Sequence, residues 1–311
     1  MEYASTKLLE SLQRPLPVHK IQTQWTKKAN IQIDILRLDL LHPDISGNKW
    51  FKLKYNLAEA QKRGIHTVLS FGGAWSNHIH ALAAAGYHLG MDTMGVIRGE
   101  PVEPLSDTLQ DAERWGMQLH FVTRQAYRNK QTPSFQKRLL EQLGLALEGV
   151  WWVPEGGNNV LGALGCEEIL ASGQIRPEDY QSIWLACGTG ATLAGVVKSA
   201  EGVQVTGVPV IKGGGYLQQE IHQYTGDCHQ NWSLVLDAHC GGYAKTNSEL
   251  ITFIARFEEE AGIPLEPVYT GKAMLALYKQ AAEGRFISGS RILFIHTGGL
   301  QGRRGIIKNC G

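Results

Sequence analysis

Apolar positions along the chain follow two alternating patterns. Short runs rich in β-branched and aromatic residues, such as 67–71 and 117–122, are each followed by a longer stretch with apolar residues at helical spacing, 76–89 and 124–143. A strand run followed by a helix run, repeated, is the signature of βαβ units on a mostly parallel sheet. Further strands are predicted at 92–98, 150–154, 181–186, 203–210 and 291–296, and helices at 160–172, 192–200, 248–261 and 272–284. Residues 31–41 alternate apolar with polar side chains and read as a half-buried strand that feeds a loop over 42–48. The fold class is α/β. No repeat, low-complexity tract or Pro/Gly/Ser linker marks a domain boundary in this pattern.

Length and composition narrow the function classes. A chain of 311 residues holds two domains or one large one. With Lys+Arg 30 against Asp+Glu 29, the net charge of +1 supplies no global field for nucleic acid or an anionic membrane, so neither is an expected partner. No apolar run is long enough to span a bilayer, and the mixed polar residues 1–25 do not resemble a signal peptide. Cys166, Cys187, Cys228, Cys240 and Cys310 are odd in number and form no CxxC pair, which suits a reduced, cytoplasmic location. No HExxH or paired CxxC spacing is present among the histidines and cysteines, so no metal is expected.

The 36 glycines matter through their placement at element ends. Open α/β sheets bind ligands where strands run into helix N-termini. Trp184-Leu-Ala-Cys-Gly-Thr-Gly-Ala-Thr-Leu-Ala-Gly195 reads as strand, glycine turn and helix start. Its free backbone N–H groups, two threonine hydroxyls and positive dipole end suit a phosphate; the same turn also occurs in α/β proteins without a ligand. Leu193 stands where a dinucleotide fingerprint needs glycine, and GxxxxGK[ST] is absent. A smaller phosphorylated cofactor remains. Ser70-Phe-Gly-Gly-Ala-Trp-Ser-Asn-His-Ile-His80 has the same character, with Ser76, Asn77 and His78 at the mouth. One of these is a helix cap, and the helix-start amides suit a substrate carboxylate.

Ser46-Gly-Asn-Lys-Trp-Phe-Lys-Leu-Lys-Tyr55 begins an amphipathic helix with Lys49, Lys52 and Lys54. Positive charge is disfavoured at that end of a helix. A lysine buried there beside aromatic residues loses solvation of its ammonium, which frees the amine for a Schiff base. With a phosphate cup at 188–192 this points to pyridoxal phosphate, and spacing does not choose among the three lysines.

Five ordered segments then carry a resemblance: Ser46-Gly-Asn-Lys-Trp-Phe-Lys-Leu, Ser76-Asn-His, Pro154-x-Gly-Gly-x-Asn-x-x-Gly-x-x-Gly165, Pro267-Val-Tyr-Thr-Gly-Lys-Ala-Met274 and Ile295-His-Thr-Gly-Gly299. Together they resemble the family of 1-aminocyclopropane-1-carboxylate (ACC) deaminase and D-cysteine desulfhydrase, within the tryptophan-synthase-β-like pyridoxal-phosphate enzymes of fold type II. The resemblance runs from about Arg37 to Gly299. It implies two α/β domains, each a twisted mostly parallel sheet with helices on both faces, with the cofactor between them. Residues 1–49 and 154–311 would form the large domain and 50–153 the small inserted one. It implies a homodimer.

The same resemblance implies the roles of the site residues. Lys49 carries the cofactor as a Schiff base and removes the substrate Cα proton. Asn77 bonds the ring hydroxyl oxygen, the loop Gly188, Thr189, Gly190, Ala191 and Thr192 holds the phosphate, and Lys52 lies close enough to assist. Ser76 meets the carboxylate of a small amino-acid substrate with neighbouring groups of Asn77 and His78. Tyr243 and Tyr269 stand beside the substrate as aromatic walls or proton donors. ACC deaminases of this type carry Glu and Leu where this chain has Thr270 and Thr297, and both threonines match the desulfhydrase pattern. A neutral hydroxyl near the ring nitrogen makes a weaker electron sink that still suffices when a thiolate leaves. The expected reaction is therefore α,β-elimination from D-cysteine, with ACC deamination, or another pyridoxal-phosphate lyase, dehydratase or racemase, as alternatives and a non-enzymatic cofactor-binding protein as the remaining one. After Gly299 the family continues with a Pro-Ala-Leu-Phe-like segment, whereas this chain reads Leu300-Gln-Gly-Arg-Arg-Gly305. Arg303 or Arg304 is there a candidate for a second substrate carboxylate.

Overall fold

The computed structural model describes residues 12, 14–45 and 47–307. Ser46, at the head of the first family-like motif, and Cys310 lie outside the described residues. Among the described residues, ten strands run in chain order as β1 (Val18–Ile21), β2 (Gln32–Arg37), β3 (Thr67–Gly72), β4 (Asp92–Arg98), β5 (Gln118–Val122), β6 (Val150–Val153), β7 (Ser182–Cys187), β8 (Gln204–Pro209), β9 (Trp232–Leu234) and β10 (Arg291–His296). They form a larger sheet in the order β1-β2-β10-β7-β8-β9 and a smaller one in the order β5-β4-β3-β6. Every pairing is parallel except β1 with β2.

A parallel sheet covered by helices on both faces buries its central strands completely, so those strands read as continuous apolar runs. β10, between β2 and β7, is Arg-Ile-Leu-Phe-Ile-His, with residues 292–296 all buried. β2 departs from the half-buried strand expected of 31–41. Its residues 33–37 are buried without alternation, because β1 and β10 flank it and both faces are covered. Its one interior carboxylate, Asp34, accepts from Arg291 Nη2 at 2.6 Å and Tyr180 Oη at 3.0 Å. The chain then turns into a short 3-10 helix, Leu38–Leu40.

Two predicted helices are broken. The stretch 124–143 is two helices, Arg124–Tyr127 and Pro133–Leu143. Proline lacks a donor and forces the preceding residue toward extended backbone, and Thr132 (φ −78, ψ 138) accordingly starts a new helix, its hydroxyl capping Phe135. The stretch 160–172 splits into Val160–Cys166 and Ile169–Ser172. Between them Glu167 pairs with Lys198 and Glu168 with Lys54.

The helix Asn48–Lys62 passes from one sheet to the other as a single element. Trp50, Phe51, Leu53 and Leu57 on it are buried, and it crosses the helix Val160–Cys166 so closely that a Cβ on Gly165 would lie 1.9 Å from the Phe51 carbonyl oxygen. No helix among the described residues is long and apolar enough to cross a membrane.

Candidate active site

The C-terminal ends of β3, β7 and β10 each run into a glycine turn, and the helix Asn48–Lys62 begins among them. Gly47 (φ +76) sits so tightly on the turn after β10 that a Cβ would lie 2.1 Å from the Thr297 carbonyl oxygen. Asn48 donates its backbone N–H to that oxygen at 3.1 Å, and its Nδ2 to Thr192 Oγ1 at 2.8 Å. The start of this helix is thus fixed to the turns after β10 and β7 at once, and Lys49 is the next residue.

The structure separates the three lysines that spacing leaves equivalent. Lys54 turns outward to Glu168 and lies over the rings of Phe51 and Tyr55. Lys52 is buried, and its Nζ donates to Thr189 Oγ1 at 2.9 Å and Gly156 O at 3.0 Å. Lys49 is half-buried. Burial, and then the like charge of Lys52, push its ammonium down to about 7, so a large fraction is free amine at neutral pH.

The turn after β7 has the form of an anion cup. Gly190 (φ +82) caps the helix Ala191–Ser199, whose first amides have no acceptor within the helix. Positive φ there favours glycine. Thr189 and Thr192 accept from Lys52 and Asn48. A Cβ on Gly188 would lie 3.2 Å from Tyr269 Cε1, so the Tyr269 ring roofs the cup. Tyr269 Oη donates to Tyr243 Oη at 3.3 Å, with ring centroids 6.1 Å apart.

At the end of β3, Ser76 caps the helix Asn77–Leu89 by accepting from Ile79 N–H at 3.3 Å, which leaves its own proton free to donate. Asn77 is half-buried, its Oδ1 3.0 Å from Gln301 Nε2. The His78 imidazole turns inward rather than toward solvent. Ser70 Oγ donates to Val153 O at 2.8 Å, so it accepts from His78 Nε2 at 2.8 Å. The proton is then on Nε2, and the buried Nδ1 is a lone pair with no partner. Burial first, then Lys49 and Lys52, hold the ring well below its ordinary value and therefore neutral.

Thr270 and Thr297 are both buried. The Thr297 carbonyl holds Asn48, whereas the Thr270 hydroxyl is engaged with Glu266, accepting its backbone N–H at 2.9 Å. Glu266 itself went unnoticed in the sequence. Its Oε1 accepts from the N–H groups of Tyr269 and Thr270 at 2.6 Å each, and its Oε2 from Val268 at 2.7 Å. Burial outweighs these bonds and pushes the carboxyl up to about 7. Lys272, which the sequence places in the Pro267–Met274 segment without a role, is fully buried and donates to Gly242 O at 2.7 Å, holding the loop that carries Tyr243. Glu266 directly precedes the segment Pro267-Val-Tyr-Thr-Gly-Lys-Ala-Met274 and Lys272 lies within it, and that position is the signal that could have flagged them. Arg303 and Arg304 are not available to a second substrate carboxylate: Arg303 pairs with Glu258 at 2.7 and 3.1 Å, and Arg304 with Asp111. His42, Asp44 and His88 converge as metal-type ligands among the described residues. There His42 Nδ1 already accepts the N–H groups of Asp44 and Ile45 at 3.1 and 3.2 Å.

A lysine held near neutrality, an anion cup braced by a second lysine, and an amide and a hydroxyl at a facing helix start define an α/β enzyme that holds a phosphorylated carbonyl cofactor on an amine. The residues present fit pyridoxal phosphate: Lys49 for the carbonyl, residues 188–192 with Lys52 for the phosphate, and the Asn77 amide for a ring substituent. The family model for the pyridoxal-phosphate dependent enzymes matches residues 11–298, and the chain belongs to that family. It is 29% identical, over 93% of its length and 77% of the relative's, to the mitochondrial bifunctional D-cysteine desulfhydrase/1-aminocyclopropane-1-carboxylate deaminase of Arabidopsis thaliana. It is 27% identical to the D-cysteine desulfhydrase of Klebsiella pneumoniae, covering 94% of this chain and 93% of that one. The crystal structure of an ACC deaminase homologue superposes with a TM-score of 0.80 at 26% identity, covering 99% of this chain and 98% of that one.

Proposed function

We propose that this chain is a D-cysteine desulfhydrase, which converts D-cysteine and water to pyruvate, hydrogen sulfide and ammonia by α,β-elimination. The observation that carries the reading is Lys49, an amine near neutrality set between an anion cup and a helix start with a free hydroxyl. Bound pyridoxal phosphate supplies an electron sink conjugated to the substrate Cα. Lys49 holds it and, once released, takes the Cα proton. The turn 188–192 and Lys52 bind the phosphate, and Asn77 faces the ring hydroxyl oxygen. Ser76, with the helix-start N–H groups of Asn77 and His78, orients the substrate carboxylate. Tyr243 and Tyr269 wall the β-carbon side and supply a proton to the departing thiolate. Because the Thr270 hydroxyl is bonded to Glu266, Thr297 is the residue we assign to the ring nitrogen.

The choice of D-cysteine rests on Thr270 and Thr297 standing where deaminases of the resembled type carry Glu and Leu. ACC deamination to 2-oxobutanoate and ammonia is the second reading, favoured by the names of the Arabidopsis relative and of the superposed homologue. Assays with D-cysteine, L-cysteine and ACC separate them. Sulfide and pyruvate from D-cysteine alone support the first reading, and 2-oxobutanoate from ACC in its place overturns it. Lys49→Ala with full turnover would overturn both.

We further propose a cytoplasmic homodimer with a large domain, 1–49 and 154–311, and a small one, 50–153. Four free cysteines among the described residues agree with a reducing compartment. Light scattering and cell fractionation test these two assignments.

A further inference from the structure

We propose that Gln301 is a positioning residue that fixes which end of the Asn77 amide faces the cofactor, and that residues 300–305 form a strap holding it there. The inference rests on the reading above that Asn77 meets the ring hydroxyl oxygen. A carboxamide has an accepting and a donating end of nearly the same shape, and only its partners decide how it is turned. Gln301 Nε2 lies 3.0 Å from Asn77 Oδ1. With the oxygen so occupied, Nδ2 is the end left to donate, which is the polarity an anionic ring oxygen requires. The strap encloses the amide closely. A Cβ on Gly299 (φ +87) would lie 2.6 Å from Asn77 Nδ2, and one on Gly302 would lie 3.5 Å from Oδ1.

The strap is anchored at several points. Gly302 N–H closes a turn on Gly299 O at 3.0 Å. Arg303 is fastened to Glu258 on the helix Ser248–Ala261, at 2.7 and 3.1 Å. Arg304 donates from Nε to the Gln301 carbonyl at 3.2 Å and from Nη2 to Asp111, on the helix Asp107–Arg114 beside the smaller sheet. A Cβ on Gly305 would lie 2.8 Å from the indole of Trp75, so the strap lies flat on the residue before Ser76. The segment Leu300–Gly305, where the chain departs from the family pattern, therefore ties the larger sheet's C-terminal end to the helix start that presents Ser76 and Asn77.

The test is a pH titration of the bound-cofactor absorbance in the holoenzyme, with the cofactor dissociation constant and melting temperature measured alongside. Gln301→Glu replaces the donor with an acceptor, so the Asn77 amide turns and presents oxygen to the ring oxygen. Gln301→Met keeps length and removes the preference. A donor at that oxygen withdraws charge that would otherwise help the neighbouring nitrogen keep its proton. Losing it should raise the titration midpoint by about one pH unit for Gln301→Glu, less for Gln301→Met, in the direction shown by Asn77→Ala. Cofactor dissociation should rise about tenfold for Gln301→Glu, with the melting temperature little changed. Arg304→Met should move the midpoint the same way by less. If Asn77→Ala shifts it and neither Gln301 variant does, Gln301 is not the positioning residue. If Gln301→Glu shifts it and Arg304→Met does not, the strap is overturned. If Asn77→Ala shifts nothing, the assignment of Asn77 falls, and this inference with it.

Discussion

Gly165→Ala tests how closely the lysine-bearing helix is seated. The added Cβ would stand 1.9 Å from the Phe51 carbonyl oxygen and 3.5 Å from Lys54 Cε. A carbonyl belongs to the backbone and cannot rotate out of the way, so relief requires the helices Asn48–Lys62 and Val160–Cys166 to part by roughly 1.5 Å to reach ordinary contact. Overpacking costs about 1–3 kcal/mol, and a clash with fixed backbone belongs at the upper end. For a chain of 311 residues that is about 5 °C of melting temperature. The same displacement moves Lys49, two residues before Phe51, relative to the turns proposed above to hold the phosphate and carboxylate. A misplacement of about 1 Å is worth on the order of 100-fold in kcat/KM. Calorimetry and steady-state kinetics on Gly165→Ala read both effects, with Gly149→Ala as the control because no atom lies within 4 Å of its added Cβ. Wild-type melting and kinetics for Gly165→Ala would refute the close seating.

Other consequences are more direct. Loading of cofactor-free protein with pyridoxal phosphate needs the neutral amine, so its rate should rise with pH about a midpoint near 7, set by Lys49; stopped-flow absorbance reads it, and a midpoint near the ordinary lysine value contradicts the burial argument. Asp34→Ala leaves Tyr180 Oη and the partly buried Arg291 without their shared acceptor, and should cost about 2–4 kcal/mol in denaturant unfolding with kcat unchanged.

The fold was legible where pattern and environment agree. β3, β4 and β10 fall within a residue of their apolar runs because parallel strands buried on both faces must be apolar throughout. β1 and β9 were missed, being short edge strands of four and three residues with exposed positions. The glycine turn at 188–192 was legible as a strand end running into a helix start because its signal is local: glycine, hydroxyls and a helix start within five residues. The rest of the site is not local. Nothing in spacing distinguishes Lys49 from Lys54; Glu168, more than a hundred residues away, does so by drawing Lys54 outward. Arg303 and Arg304 look like free guanidinium groups until the fold brings up Glu258 and Asp111.

Glu266 and Lys49 also make opposing demands on the cofactor-free protein, and their signs can be separated. Glu266 has its carboxyl raised from 4.5 to about 7 in the folded state. Between those values the unfolded chain has released a proton that the folded chain keeps, so stability falls as pH rises and the loss is complete above about 7. Lys49 has its ammonium lowered from 10.5 to about 7. Here the unfolded chain keeps a proton that the folded chain has lost, so stability rises between about 7 and 10.5 and is lost as pH falls. Together the two groups impose a trough near pH 7, with arms on the order of 3 kcal/mol for Glu266 and 5 kcal/mol for Lys49. Denaturant unfolding of the cofactor-free protein from pH 5 to 10 should show it. Glu266→Gln should flatten the acid arm, and Lys49→Met the alkaline arm while raising stability at neutral pH. A profile that both substitutions leave unchanged would mean that neither group is buried in an uncomfortable charge state. A trough that Lys49→Met removes on one side only would identify the instability at neutral pH as the cost of keeping an amine ready for the cofactor.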